Sequence, residues 1–140
     1  MNTNNLKNFF LVIYGPNMNL ISLRPIAKKN KLTLDKINKC LKTEAQSADR
    51  KLKVIQTNDE IVATRAIQRL RNKISGIIIF PGAWQSSAHI IKDTLEIVKI
   101  PFVTVSTGEN AHLLKGIKNI TNTNLLKGCQ EAIQQLIKSS

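Results

Sequence analysis

The stretch that decides the fold is Leu11-Val-Ile-Tyr-Gly-Pro-Asn-Met-Asn-Leu20, and Arg24 follows it four residues later. A short apolar strand leads into a Gly-Pro-Asn turn, and the next helical pattern begins only near Thr33. In an open α/β domain, ligands bind beyond the carboxyl ends of the strands. We therefore predict that the basic segment after the turn is a mobile lid over a ligand site.

Outward from this stretch, apolar strand patterns alternate with amphipathic helical patterns. The predicted strands are Phe9 to Tyr14, Leu52 to Thr57, Gly76 to Phe80, Pro101 to Val105 and Lys118 to Thr121. Helical patterns follow the predicted caps Thr33, Asn58 and Ser86 or Ser87, and a last one covers 125–137. This order predicts a flavodoxin-like three-layer α/β/α sandwich with a parallel sheet of about five strands.

The composition fits one globular domain over residues 1–140, with residues 1–7 expected to be disordered. Cys40 and Cys129 fall within apolar helical patterns, so we expect small buried side chains in a reducing compartment. No stretch reaches the roughly 18 apolar residues of a membrane span, and no apolar signal segment precedes the first strand. These features predict a cytoplasmic protein without a membrane partner.

The formal net charge of +12 is the feature that favours nucleic acid as a partner. However, the basic residues are spread over every segment without a long run, and aromatic residues make up only 4% of the chain. Few side chains are therefore available to stack on bases. A general compositional bias explains the charge better, and we do not expect nucleic acid to be the main partner.

Several further motifs follow in a recognisable order. They are Gln56-Thr-Asn58 at the end of the second strand, Gly76-Ile-Ile-Ile-Phe-Pro-Gly-Ala-Trp84, Lys92-Asp93 and Ile100-Pro-Phe-Val-Thr-Val105. Together with the first stretch, they resemble the type II 3-dehydroquinate dehydratases over about residues 8 to 107. This resemblance implies dehydration of 3-dehydroquinate through an enolate, without metal or cofactor, by a homo-oligomer such as a trimer or dodecamer.

The resemblance also assigns site residues. The turn asparagine of the family is Asn17 and the catalytic lid arginine is Arg24. In the family, backbone amides after the fourth strand help to hold the substrate carboxylate and hydroxyls, which implies Ser106 and Thr107 as substrate-binding residues here. Asn17 and Ser86 are assigned to substrate binding with them. A small anionic cyclic ligand is the partner that these residues imply.

Other family positions carry unsuitable side chains. The lid tyrosine is Lys29, the asparagine that closes the third strand is Phe80, and the proton-donating histidine is Ser86. Three more positions also differ from the family. Its histidine after Gln-Ser-Asn is Asp59 here, its glutamate late in the fourth strand is Thr104, and its histidine at the end of the fourth strand is Ser106. The stretch after the fourth strand is short and lacks arginine. Losing one acid or base costs a factor of roughly 10²–10⁴, so losing both predicts a degenerate enzyme.

Some residues are possible substitutes for the missing groups. Lys29, Tyr14 and His112 are candidates for a rebuilt acid–base pair, although a solvated loop, strand-end packing and a surface position are the simpler interpretations. His89 is interpreted as a surface or partly buried histidine, and Trp84 as a packing or subunit contact. Three functions stay open: a degenerate binding or scaffolding protein, an active dehydratase with a rebuilt site, and a basic domain that binds nucleic acid or an acidic partner.

Overall fold

Five strands form the centre of the molecule in the computed structural model, which describes residues 7–108 and 112–139. They are β1 (Phe9–Tyr14), β2 (Lys51–Gln56), β3 (Ile74–Phe80), β4 (Phe102–Ser106) and β5 (Lys118–Thr121). All neighbours are parallel, and their order is β2-β1-β3-β4-β5. The predicted strands are confirmed with shifts of one or two residues at their ends.

Helices cover both faces of this sheet. They are α1 (Pro25–Asn30), α2 (Leu34–Ser47), α3 (Glu60–Leu70), α4 (His89–Val98) and α5 (Leu125–Ser139). The apolar sides of α2 and α5 pack on one face, and those of α3 and α4 pack on the other. The predicted flavodoxin-like three-layer sandwich is therefore confirmed.

Strand β1 shows why the sheet is buried. Alternate side chains point to opposite faces of a strand. Phe10 and Val12 accordingly join the core shared with α2 and α5, whereas Leu11 and Ile13 join the core shared with α3 and α4. All four side chains are fully buried. A continuous apolar run is therefore needed here, as is typical of parallel sheets covered on both faces.

The segment between β1 and α2 is helical, and the prediction of no helix before Thr33 is wrong. A 3-10 helix covers Met18–Leu23, and α1 follows with a proline at its first position. Ile21, Ala27 and Leu32 are buried in the core that α2 and α5 share. Because these residues are widely spaced, the sequence shows little helical periodicity here. The two short helices are stabilised mainly by tertiary contacts.

Two predicted caps have different outcomes. Thr33 caps α2, because its Oγ1 accepts the Lys36 N–H at 3.2 Å. The prediction that Asn58 caps α3 is wrong: Asp59 does so by accepting the Ile61 N–H at 2.9 Å. Both residues can cap a helix, but the side chain of Asn58 is engaged elsewhere.

The cap of α4 also differs from the prediction. Ser86 and Ser87 donate their hydroxyls to the Ala83 carbonyl, and the residue at the cap position is Ala88. Glu60 of α3 supplies the missing acceptor, since its Oε2 accepts the backbone N–H groups of Ile90 and Ile91 at 2.9 and 3.1 Å. A carboxylate is well suited to this position beside the positive end of the helix dipole.

Glu60→Ala is expected to lower the free energy of unfolding by about 1–2 kcal/mol, because two amides at the start of α4 lose their acceptor. Urea denaturation followed by circular dichroism measures this loss. The matched control is Glu96→Ala, since the exposed Glu96 carboxylate pairs with Lys92 at 2.7 Å. This surface pair is expected to contribute no more than about 0.5 kcal/mol. Equal losses in the two variants would contradict the capping role of Glu60.

The remaining sequence predictions concern single features. Cys129 is buried and Cys40 is half-buried, and both thiols are free. In the part of the chain that the structure describes, no helix combines the length and the apolar character needed to cross a membrane. The predicted disorder concerns mainly residues 1–6, which lie outside the described residues.

Candidate functional site

A crevice of about 130 Å³ lies where β1, β3 and β4 end. Such a position, between the strands at which the sheet order reverses, is where open α/β sheets bind ligands. Polar and charged groups in its lining come from Asn17, Arg24, Ser106 and Thr107. The rest of the lining comes from Pro16, Met18, Ile21, Phe80, Gly82, Val105 and Leu125.

The turn after β1 fixes one wall of the crevice. Gly15 donates its N–H to the Phe80 carbonyl at 2.9 Å and so ties the turn to the end of β3. A Cβ at Gly15 would lie 2.6 Å from that carbonyl oxygen, which leaves no room for any other residue. Asn17 then adopts a left-handed conformation with φ 68°, which asparagine tolerates better than most residues.

Asn58, which lies two residues beyond the end of β2, holds the same turn. Its Oδ1 accepts the Asn17 N–H at 2.9 Å. The side chain that the sequence suggested as a helix cap therefore holds the crevice wall instead. An asparagine just before a helix can either cap that helix or bind a neighbouring turn, and the local sequence looks the same in both cases. Asn58 binds the turn because β1 lies beside β2.

The wall contributed by the end of β3 depends on Gly82 and Trp84. Gly82 has φ 52°, a conformation that favours glycine, and it begins the 3-10 helix Gly82–Ser86. Trp84 is 4% exposed and packs in the core shared with α3 and α4. The packing interpretation of Trp84 therefore agrees with its position within this chain.

Arg24 dominates the charge of the crevice. It is the only charged residue among the described residues that line the crevice. Its side chain is exposed, and within residues 7–108 and 112–139 the guanidinium forms no ion pair. A free guanidinium beside the hydroxyls of Ser106 and Thr107 favours an anion with oxygen acceptors.

Phe80 forms an apolar part of the lining. It is 2% exposed, and its ring centroid lies 4.9 Å from that of Tyr14. The Tyr14 hydroxyl donates to Asn38 Oδ1 of α2 at 2.6 Å, and Tyr14 does not line the crevice. Burial raises the pKa of the Tyr14 phenol far above its ordinary value, with smaller contributions from Cys129 and Cys40. Tyr14 is thus a packing residue with a satisfied hydroxyl and is unsuited to act as a base.

Ser86 and Lys29 lie outside the crevice lining. Ser86 is exposed and bonds to its own 3-10 helix through Ala83. Lys29 is exposed in the last turn of α1. Of the five site residues predicted from the sequence, the structure therefore brings together Asn17, Arg24, Ser106 and Thr107 and leaves Ser86 apart. Their roles as catalytic or binding residues stay predictions.

The two histidines are also remote from the crevice. His89 is exposed at the start of α4. His112 lines a different cavity, of about 580 Å³, together with Leu95 and Phe102. Its Nδ1 lies 3.1 Å from the Asn119 amide nitrogen. Neither histidine is placed to exchange a proton with a ligand in the crevice. The shortened stretch that follows β4 includes residues 109–111, which lie outside the described residues.

Gln85 is a structural residue that the sequence reasoning missed. It is 2% exposed, accepts the Leu114 N–H at 2.7 Å and donates to the Leu114 carbonyl at 3.2 Å. These two bonds attach the segment after β4 to the 3-10 helix after β3. A glutamine between tryptophan and serine gave no signal of burial. As for metals, the described ranges bring no three histidine, cysteine or acidic side chains together.

The fold and the position of the crevice define a flavodoxin-like α/β protein with a candidate ligand site at the switch point of the sheet. Comparison with known proteins narrows this class. The model of the family described as Dehydroquinase class II matches residues 8–113. The chain belongs to this family.

Individual relatives agree with this assignment. The 3-dehydroquinate dehydratase of Vibrio cholerae is 37% identical over 99 residues, which are 71% of this chain and 66% of that protein. That of Trichodesmium erythraeum is 37% identical over 95 residues, or 68% of this chain and 63% of that protein. The chain thus spans a little under two thirds of the length of these relatives. The crystal structure of type II dehydroquinase from Butyrivibrio crossotus has a TM-score of 0.78 at 25% identity, covering 93% of this chain and 97% of that one.

Proposed function

We propose that this protein is a degenerate member of its family that binds a small anion in the crevice and has little or no dehydratase activity. The observation that carries the proposal is the lining itself. Arg24, Asn17, Ser106 and Thr107 supply donors for an anion, whereas the described lining contains no histidine, tyrosine or carboxylate that could move a proton.

The size of the crevice supports a small ligand. Its volume of about 130 Å³ is well below the roughly 300 Å³ at which pockets for drug-sized ligands begin. The Phe80 ring occupies the place where the family has a polar amide, and it packs on Tyr14. A compact carboxylate or phosphate fits this space better than a six-membered ring with several hydroxyls.

The chemistry of dehydration supports the same proposal. Removing a proton beside a ketone and protonating a departing hydroxyl requires a base and an acid within hydrogen-bond reach of the ligand. The three candidate substitutes are Lys29 on α1, the buried Tyr14 and the remote His112, and none lines the crevice. Serine hydroxyls are too weakly acidic to replace an imidazole at neutral pH.

An active 3-dehydroquinate dehydratase of the shikimate pathway is the second candidate. The specific observation in its favour is that relatives 37% identical to this chain carry that name. Under this proposal a rebuilt site would use Arg24 with a group brought in by movement of α1, such as Lys29. A basic domain that binds nucleic acid or an acidic partner stays a prediction from charge alone.

Turnover separates the first two candidates. Dehydration of 3-dehydroquinate forms a conjugated enone, so ultraviolet absorbance reports the reaction directly. We expect the turnover rate to be at least roughly 10⁴-fold lower than that of the Vibrio cholerae relative, because both the acid and the base are missing. Saturable turnover that is lost in Lys29→Ala, with its fold intact, would establish the second candidate instead.

Anion binding is tested separately with inorganic phosphate, followed by amide chemical shifts. We expect shifts at Asn17, Ser106 and Thr107, and about a tenfold weaker affinity in Arg24→Gln because one charged hydrogen bond is lost. Lys28→Gln is the matched control, since Lys28 is exposed on α1 but does not line the crevice. Equal weakening in both variants would indicate general charge attraction and would contradict a site at the crevice.

Two further proposals concern self-association and location. Self-association of this chain is supported by the resemblance to a family of homo-oligomers. A cytoplasmic location is supported by the free thiols of Cys40 and Cys129, which suit a reducing compartment.

A further inference from the structure

Another cavity, of about 580 Å³, lies between α4, the start of β4 and residues 112–115. The described residues that line it are all different from those that line the crevice. Its volume falls within the roughly 300–1,000 Å³ of pockets that bind small organic molecules. Anion binding in the crevice makes no use of this space, so the cavity is a separate candidate site.

One face of α4 forms the first wall of the cavity. Lys92, Leu95, Glu96 and Lys99 line it, and their spacing of three or four residues places them on the same side of the helix. Lys99 directly follows the last residue of α4. Leu95 is buried, whereas Glu96 and Lys99 are exposed. This wall is therefore apolar at its base and charged at its opening.

The opposite wall, residues 112–115, is held by two side-chain amides. Gln85 forms the two hydrogen bonds to the backbone of Leu114 described above. Asn119 adds a third, since its Nδ2 donates to the Leu114 carbonyl at 2.9 Å. Its Oδ1 accepts the Gly116 N–H at 2.9 Å. The wall is thus fixed before a ligand arrives, which lowers the entropic cost of binding.

Apolar side chains form the inner surface between the two walls. Leu95 and Leu114 are buried, and Phe102 and Leu113 are half-buried. Together they offer a ligand a phenyl ring and three isobutyl groups. Covering this surface with an apolar group of the ligand removes it from water, which favours binding.

The charges around this surface favour an anion. Lys92 and Glu96 form an ion pair with each other at 2.7 Å. Lys99 and Lys115 also line the cavity, and neither has an ion-pair partner within residues 7–108 and 112–139. Two ammonium groups beside an apolar surface suit a ligand that carries a carboxylate or phosphate on an apolar body.

His112 adds a hydrogen-bond donor whose tautomer the structure fixes. Because Asn119 Oδ1 accepts the Gly116 N–H, its Nδ2 is the atom that lies 3.1 Å from His112 Nδ1. An amide nitrogen only donates, so Nδ1 accepts and the neutral ring carries its proton on Nε2. Nε2 forms no hydrogen bond to another described residue. It is therefore available to donate to an anion.

We propose that this cavity binds a small organic anion with an apolar body of one or two rings. The apolar surface contacts the body, and Lys99, Lys115 and His112 hold the anionic group. The proposal goes beyond the proposed function and does not depend on it, because the two sites have separate linings.

Amide chemical shifts measured with 2-naphthoate test the site, since this probe joins an apolar body to one carboxylate. We expect shifts at Phe102, Leu113 and Lys115 and a Kd of about 1 mM or tighter, the affinity that about a dozen non-hydrogen atoms commonly give. Acetate has the charge without the body, and 2-naphthalenemethanol has the body without the charge. Each should bind at least about tenfold more weakly. Tighter binding of 2-naphthyl phosphate would identify a phosphate ester as the preferred anion, and weaker binding a carboxylate.

Three variants test the assigned groups. Lys99→Gly and Lys115→Gln are each expected to weaken 2-naphthoate binding about tenfold, because one charged hydrogen bond is lost. Lys99 has φ 57°, a conformation that suits glycine, so Lys99→Gly should not lower the unfolding midpoint. Lys118→Gln is the matched control, since Lys118 is exposed on β5 but does not line the cavity. It should change the affinity less than about twofold.

Several results would overturn the proposal. They are absence of 2-naphthoate binding, equal affinity for acetate, and equal weakening in Lys118→Gln, which would indicate general attraction to a basic chain. Loss of 2-naphthoate binding in Arg24→Gln would place the probe in the crevice and would overturn it as well. Failure of the crevice to bind inorganic phosphate, with 2-naphthoate binding intact, would contradict the proposed function and leave this second site standing.

Discussion

Trp84→Ala is expected to lower the free energy of unfolding by about 3–5 kcal/mol, the range for removing a large aromatic side chain from a core. Trp84 is 4% exposed and packs with residues of α3 and α4. Its ring also lies directly against the β1 turn, because a Cβ added at Gly15 would be 2.9 Å from ring atoms. The loss should therefore loosen the crevice wall as well as the core.

Urea denaturation followed by far-ultraviolet circular dichroism measures this effect, since Trp84 is the only tryptophan of the chain. Ile97→Ala is the matched control. Ile97 lies on α4 but is 69% exposed, so its truncation should change stability by no more than about 0.5 kcal/mol. A loss below about 1 kcal/mol in Trp84→Ala would show that the tryptophan is not part of the core.

Phe80→Asn is expected to cost about 3–5 kcal/mol of stability and to restore no turnover. The substitution reinstates the family's amide but removes a ring that is 2% exposed and stacked 4.9 Å from Tyr14. An asparagine there would leave a cavity, and its amide would be surrounded by apolar side chains. If the proposed function is correct, this variant should show no turnover, because no acid or base is added to the crevice.

Phe80→Leu separates packing from polarity. Leucine keeps an apolar side chain of smaller volume, so the expected loss of stability is about 1–2 kcal/mol. Denaturation gives both losses, and the enone assay gives the activity of each variant. Dehydratase activity in Phe80→Asn would show that the phenyl ring alone blocks an otherwise competent site. Equal stability of the two variants would contradict burial of the amide.

Under the proposed function, the loss of activity has its cause at the crevice rather than in the scaffold. The turn after β1 is still fixed by Gly15, Asn17 and Asn58, and Arg24 still lines the crevice. The proton-transfer positions, in contrast, hold side chains that pack or bond locally. On this proposal the chain keeps the fold of its family without the chemistry, because the fold depends on the cores and the chemistry on a few exposed groups.

Much of the fold followed from local patterns. The apolar runs of β1 and β3 predicted buried parallel strands, and Thr33 marked the start of α2 correctly. The segment from Met18 to Asn30 was missed, since its short helices depend on three widely spaced anchors rather than on periodicity. Four of the five predicted site residues meet at the crevice, because strand ends and the adjoining turn converge there. Ser86 does not, because its hydroxyl bonds within its own 3-10 helix.

The sequence by itself determined the order of strands and helices, the apolar strands at the centre, and the family to which the chain belongs. These depend on side-chain type and spacing along the chain. Only the tertiary structure decided that Glu60 caps a neighbouring helix, that Asn58 holds the β1 turn, and that Leu114 is held by Gln85. Each of these contacts joins residues at least 29 positions apart. Such pairings depend on how elements pack, which no local pattern encodes.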